Sequence, residues 1–178
     1  ADAAFPELSD SWTIEAWVKP NTVAEHNTLF DIANGADSGI DLLILSGGRI
    51  EANTTSGESP ETASGIITAD TWQHIALVAD PTDADDKLRL YVNGTFVDFT
   101  TEDDSFTGGT FSGDFYIGSR NPGHGTPVWM DGNIDEVRVW NVARTEAETN
   151  ASMSVEMATQ PTPASLVAYY SMNGVGQT

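Results

Sequence analysis

Cysteine is absent, which removes disulfides, thiolate metal sites and cysteine nucleophiles together. Cations are scarce: 7 Lys and Arg stand against 27 Asp and Glu, a formal net charge of −20. So acidic a surface repels phosphates and anionic headgroups, so nucleic acid and membrane surfaces are excluded as partners. It attracts divalent cations, and it suits a salty or extracellular setting in which carboxylates keep a protein soluble. No apolar run approaches the ~18 residues of a membrane span. No basic-then-apolar opening marks a signal peptide either. The chain begins at Ala1 rather than Met, so a fragment of a longer modular protein is expected.

Helical periodicity is nearly missing as well. What fills the 178 residues is strand-like alternation, and the length suits one domain over 1–178. Trp12, Ile14, Ala16 and Val18 alternate with Thr13, Glu15, Trp17 and Lys19, a period of two. Gly39 to Leu45 and Gly48 to Asn53 flank a turn. Trp72 to Ala79 reads as a more fully buried strand. Leu88 to Val92 and Thr95 to Val97 surround Asn93-Gly94, the strongest short hairpin signal because both turn positions need positive φ. Further strands are expected at Asp114–Ser119, Asn133–Trp140 and Leu166–Met172. A single helical turn or two begins at Thr145, which can cap, with Glu148 three residues on. Short strands joined by Gly-rich turns predict an all-β fold, an antiparallel two-sheet jelly-roll sandwich.

Four stretches carry a resemblance: TIEAWVKP (Thr13–Pro20), TWQHIALVAD (Thr71–Asp80), LRLYVNGTFV (Leu88–Val97) and GNIDEVRVWNVARTEAE (Gly132–Glu148). In that order they resemble the laminin-G-like, or concanavalin A-like, jelly-roll module of bacterial surface and carbohydrate-active proteins, over about residues 11–150. The tail departs from that layout. Ser165–Thr178 looks like the strand that normally opens such a module, so it either completes this sheet or starts a next repeat. Its apolar Leu166–Met172 favours completion, since an unpaired strand would expose both backbone edge and hydrophobic face.

The residues speak against an enzyme. Hydrolases related to this fold carry acids at alternate strand positions, which places nucleophile and acid on one face ~5–6 Å apart. Glu51 has no acidic neighbour two residues away, Asp135 and Glu136 are adjacent, and no Gly-x-Ser-x-Gly elbow is present. His74 sits in a core pattern and reads as structural.

Calcium is the expected cofactor, in a structural role. Ile134 and Val137 look like core residues of opposite parity, which predicts a bulge between them. A bulge can turn Asp135 outward, toward an N-terminal carbonyl or carboxylate such as Asp2. The resemblance implies the same, since glucanase relatives hold calcium through an Asp just before a Val-Arg-Val strand. It also implies a rim site at Asp37, with Asn34 near it, as in laminin G relatives. A pentraxin-type site is disfavoured, because Ser119-Arg120-Asn121 stands where that pattern is acidic. The loop DPTDADDK lacks the Gly and bidentate Glu of an EF-hand and is expected to be a solvated hairpin loop.

The ligand-binding candidate is Ser119–Met130, a Gly/Pro-rich loop with Arg120, Asn121, His124 and Trp129. Sugar sites combine an aromatic face with polar groups that grip hydroxyls. The competing reading packs Trp129 under the loop, with the polar groups satisfying the turn. Trp17, opposite the core face of its strand, is expected to lie under another strand.

The function expected is therefore a non-catalytic, calcium-supported binding module for a glycan or other surface ligand. It would belong to a secreted or cell-surface protein of adhesion or targeting, with further domains on the same chain. The alternative is a structural spacer in a repetitive extracellular adhesin.

Overall fold

A computed structural model of the chain describes residues 8–9, 11–34, 37–54, 59–100, 106, 110–111, 113–124, 128–157 and 162–172. In chain order the strands are β1 (Leu8–Ser9), β2 (Trp12–Pro20), β3 (Asn27–Asn34), β4 (Asp37–Leu45), β5 (Arg49–Asn53) and β6 (Gln73–Ala79). They continue with β7 (Leu88–Val92), β8 (Thr95–Val97), β9 (Thr110–Phe111), β10 (Phe115–Ile117), β11 (Gly132–Trp140) and, after helix α1 (Glu146–Met153), β12 (Leu166–Tyr170). The strands form two antiparallel sheets: six strands in the order β12-β11-β2-β6-β7-β8, and four in the order β10-β3-β4-β5. β1 and β9 make a separate short pair. The expected two-sheet sandwich is what forms.

Alternation explains the layer between the sheets. Trp12, Ile14, Ala16 and Val18 of β2 point inward, as do Ile75, Leu77 and Ala79 of β6 and Leu88, Leu90 and Val92 of β7. The smaller sheet answers with Phe30 and Ile32, then Ile40, Leu42 and Ile44, then Ile50 and Ala52. β6 is buried along its whole length, because its second face is also covered, through Ala76 and Val78 against Tyr91 and Ala143. That accounts for its continuous apolar run. Trp72 is not part of it; it precedes the strand and is 44% exposed. The turn after β7 has Asn93 at φ 51° and Gly94 at φ 75°, the hairpin geometry foreseen. A Cβ at Gly94 would lie 1.8 Å from the Asn150 amide, whose nitrogen donates to Gly94 O at 2.8 Å. Thus α1 is moored to this turn.

β3 was not foreseen. Leu29 is an extra residue between Thr28 and Phe30 in the register against β4, so two adjacent apolar side chains blur the alternation. The bulge in β11 was foreseen and is present, between Asp135 and Arg138. Ile134 pairs with Val18 and Val139 with Ile14, while Glu136 takes φ 53°. The extra residue brings Val137 into the core beside Ile134 and leaves Asp135 and Arg138 on the outer face.

That outer face carries a buried ionic cluster. Glu15 is fully buried, its Oε1 3.3 Å from both Arg138 Nη1 and Arg144 Nη1 and 3.2 Å from Trp140 Nε1. Arg138 also donates to Ser152 O at 2.8 Å and Val155 O at 2.6 Å, and pairs with Glu136 at 2.7 Å. A cation on the last carbonyls of a helix satisfies groups the helix cannot. Arg144 stacks 3.9 Å above the Trp140 ring and donates to Glu148 O. At the other end of α1, Thr145 and Glu148 form the expected capping box. Trp17 lies under this segment rather than under a strand, its indole N–H donating to Met153 O at 2.7 Å.

His74 completes the cluster, edge-on to Trp17 with ring centroids 5.5 Å apart. Burial, with Arg138 and Arg144 adding to it, pushes its imidazole down to about 3 from 6.5. An unfolded chain takes up this proton near pH 6.5 and the folded one only near 3. Stability from neutral His74 is therefore complete above pH 6.5 and declines as pH falls toward 3, by up to about 1.4 kcal/mol per unit. Urea unfolding at pH 7 and pH 5 should show wild type losing about 2 kcal/mol more than His74→Gln over that interval. Equal losses would mean that His74 does not resist protonation.

Candidate functional site

The outer face of the four-stranded sheet carries acids at matched positions. Tyr116 of β10 faces Asp31 of β3, Asp31 faces Asp41 of β4, and Asp41 faces Asn53 of β5. One row thus crosses all four strands. Asp31 is 0% and Asp41 3% exposed. Side by side in a buried setting, two carboxylates repel each other and need donors.

The loop singled out by its composition supplies a partner to each, and β5 adds one more. After β10 the chain turns at Gly118, which donates to Leu29 O, and Ser119 bridges back to Trp129. Arg120 Nε lies 2.9 Å from Asp41 Oδ2, while Asn53 Nδ2 donates to Asp41 Oδ1 at 2.7 Å. The backbone N–H of Asn121 donates to Asp31 Oδ2 at 2.9 Å. The Asn121 side chain turns inward and accepts from Gly123 N, a local Asx turn. A short 3₁₀ turn at Pro122–His124 then packs over β4.

The expected sugar-gripping residues therefore divide. Arg120 and Asn121 root the loop on the sheet. Trp129 does not pack beneath it; its side chain stands out at 65% exposure, the most exposed of the large apolar residues described. The side chain of His124 lies outside the described residues. Sequence reasoning missed Asp31 and Asp41, the acids that position the loop. The available signal was the apolar-acid-apolar alternation of Phe30-Asp31-Ile32 and Ile40-Asp41-Leu42.

Farther along the same sheet, Glu51 is bridged to Glu61. Burial pushes its carboxyl above the ordinary 4.5; a hydrogen bond with Glu61 adds to the rise and Asn53 opposes it. Glu61 is ion-paired with Arg49.

Of the metal candidates, Asp135 alone has its side chain among the described residues. Asp135 is half-buried on the outer face opposite Trp17 and accepts from Glu136 N at 2.8 Å. Asp2 and the side chains of Asp37 and Asn34 lie outside the described residues. Among the described residues, no three His, Cys, Asp or Glu side chains group so as to hold a metal ion. The DPTDADDK loop bonds to itself. Asp80 accepts from Thr82, Asp83 from the amides of Asp85 and Asp86, and Arg89 pairs with both acids.

A six-plus-four antiparallel sandwich with a rooted loop on the smaller sheet defines a concanavalin A-like module. The family model of the concanavalin A-like lectin/glucanases superfamily matches residues 1–150, and the chain belongs to that family. No curated protein sequence matches it. Among solved structures it is similar to a candidate carbohydrate binding protein from Bacteroides ovatus, at 25% identity and TM-score 0.69. That match covers 98% of this chain and 47% of the other, so the chain spans about half of that protein. A carbohydrate-binding module of the Ruminococcus gnavus IT-sialidase, bound to α2,3 sialyllactose, is 18% identical with TM-score 0.61, covering 81% and 83% of the two chains. A Limulus polyphemus SAP-like pentraxin is 17% identical with TM-score 0.61, covering 98% and 88%. These last two share the fold.

If Arg120 holds the buried Asp41 charge, Arg120→Ala should cost about 1–3 kcal/mol in urea unfolding, less than a fully buried pair because Arg120 is partly solvated. Adding Asp41→Asn should recover most of that loss, since a neutral amide needs no cation. A loss below about 0.5 kcal/mol would show the pair to be idle.

Proposed function

We propose that the protein is a non-catalytic carbohydrate-binding module. The observation that carries this reading is Trp129, an indole held out to solvent at 65% exposure on a loop rooted by Arg120 and Asn121 on two buried aspartates. An exposed aromatic face on a braced support can stack against the C–H face of a sugar without a large ordering cost. The similarity to the Bacteroides ovatus protein supports it. The acidic surface favours neutral or cationic glycans over polyanions. We place the module in a secreted or cell-surface protein of adhesion or targeting. No helix among the described residues is long and apolar enough to cross a membrane.

Calcium enters this reading through Asp135, with Asp37 and Asp2 as the further carboxylates. The described residues do not by themselves make a calcium site, so the ion stays a proposal with its own test. Chelation at constant ionic strength should lower the melting temperature by well over ~1 °C if calcium binds the folded state. An unchanged melt would remove the ion from the reading.

Trp129→Ala tests the binding surface directly. On a glycan array it should lose at least tenfold in retention, while unfolding free energy stays within about 0.5 kcal/mol of wild type, as for an exposed side chain. A wild-type array with no hits on folded protein would favour the spacer role instead.

A further inference from the structure

A strap lies along one side of the sandwich. β5 is the outermost strand of the smaller sheet, and residues 59–62 run beside it. Ala52 N donates to Pro60 O at 3.0 Å, Thr62 N to Ile50 O at 2.9 Å, and Ile50 N to the Thr62 hydroxyl at 2.9 Å. The other flank of the strap meets the chain beyond β8, the last strand of the larger sheet. There Thr62 is bridged to Phe99, and Thr100 N donates to Glu61 O at 2.7 Å. We propose that Glu51 and Glu61 form a proton-operated latch: a proton shared between them holds this strap to β5, and its loss loosens the strap.

Backbone register forces the two acids together. The bonds at Ile50 and Ala52 bracket Glu51 and Glu61 as a non-hydrogen-bonded antiparallel pair, the arrangement that brings facing side chains closest. Like charges placed so repel. Arg49 pairs with Glu61, and among the described residues no cation pairs with Glu51. From β4, Leu43 faces Glu51 and offers no donor, while Asp41 adds a further negative charge. Asp41 is itself held by Arg120 and Asn53. The contact that favours the charged form of Glu51 is a hydrogen bond from Asn53.

A carboxylic acid donates to a carboxylate, whereas two carboxylates have no donor between them. Arg49 engages Glu61, so the shared proton belongs to Glu51. Burial above all, then the bond with Glu61 and the charges of Glu61 and Asp41, raises the Glu51 carboxyl above 4.5. The stabilisation it gives is therefore complete below pH 4.5 and is lost as pH rises through the raised folded value. The backbone bonds of the strap need no proton, so the loss is felt as more frequent local opening. His74 acts with the opposite sign, since its stabilisation grows as pH rises from about 3 toward 6.5.

Amide hydrogen exchange, read by NMR at about pH 4.5 and about pH 7.5 and corrected for intrinsic rates, tests the latch. The probes are the Ala52, Thr62 and Thr100 amides, which donate the bonds that hold the strap. The Ile75 and Leu77 amides of β6 report opening of the whole fold. From the lower to the higher pH, protection of the strap amides should fall at least about threefold relative to those of β6. Glu51→Gln keeps a donor toward Glu61 at every pH, so this relative fall should vanish. Glu61→Gln supplies the donor from the other side and should remove it as well. Strap protection that tracks β6 in the wild type, or a relative fall that survives in either variant, would overturn the proposal.

Discussion

A buried carboxylate, Glu15, sets the terms for much of this molecule. A charge removed from water must be paired and hydrogen-bonded, and Glu15 obliges Arg138, Arg144 and Trp140 to converge on one oxygen. Having converged, the two guanidiniums have donors to spare. Those donors find the carbonyls of Glu148, Ser152 and Val155, and so α1 is clamped to the outer face of the larger sheet. Burial keeps His74 neutral, and the same cations add to the effect. Strand, helix and the segment after it are thus coupled through one acid, and removal of either partner would strand a charge in the interior.

The smaller sheet repeats the logic beneath the proposed binding surface. Asp31 and Asp41 face each other in the register, and the loop carrying Trp129 answers both, through the Asn121 N–H and Arg120, with Asn53 of β5 a further donor to Asp41. The loop gains rigidity from charges buried beneath it, which is how an irregular segment can present an aromatic ring. All five arginines of the chain are in ion pairs, with Glu15, Glu136, Asp41, Glu61, Asp80 or Asp83. With its scarce cations so committed, the protein turns an acidic surface to solvent, and what it recognises must tolerate or exploit that field.

Much of the fold was legible along the chain because its signals are local. Period-two alternation marked β2 and β7, the turn at Ser46–Gly48 set off β4 from β5, Asn93-Gly94 marked a hairpin, and Thr145 with Glu148 marked a cap. The parity mismatch of Ile134 and Val137 disclosed the β11 bulge. β3 was hidden for the opposite reason: its bulge at Leu29 puts two apolar residues in succession and hides the alternation. Arg120 and Asn121 were legible as polar loop residues but not as roots, since their partners lie about 80 and 90 positions away. Trp17 was legible as off the core face, yet its cover comes from the end of α1.

The order of polar and apolar residues by itself determined the class of fold, the number of layers and which side of each strand faces inward, because burial depends on a residue's own chemistry and its period. It also determined the net charge of −20. Which acids meet, which arginine serves which acid, and whether a tryptophan is covered or displayed were decided only by tertiary structure. Those outcomes depend on register between strands distant in sequence, and on the rule that a buried charge takes whichever donor the fold brings within hydrogen-bonding distance.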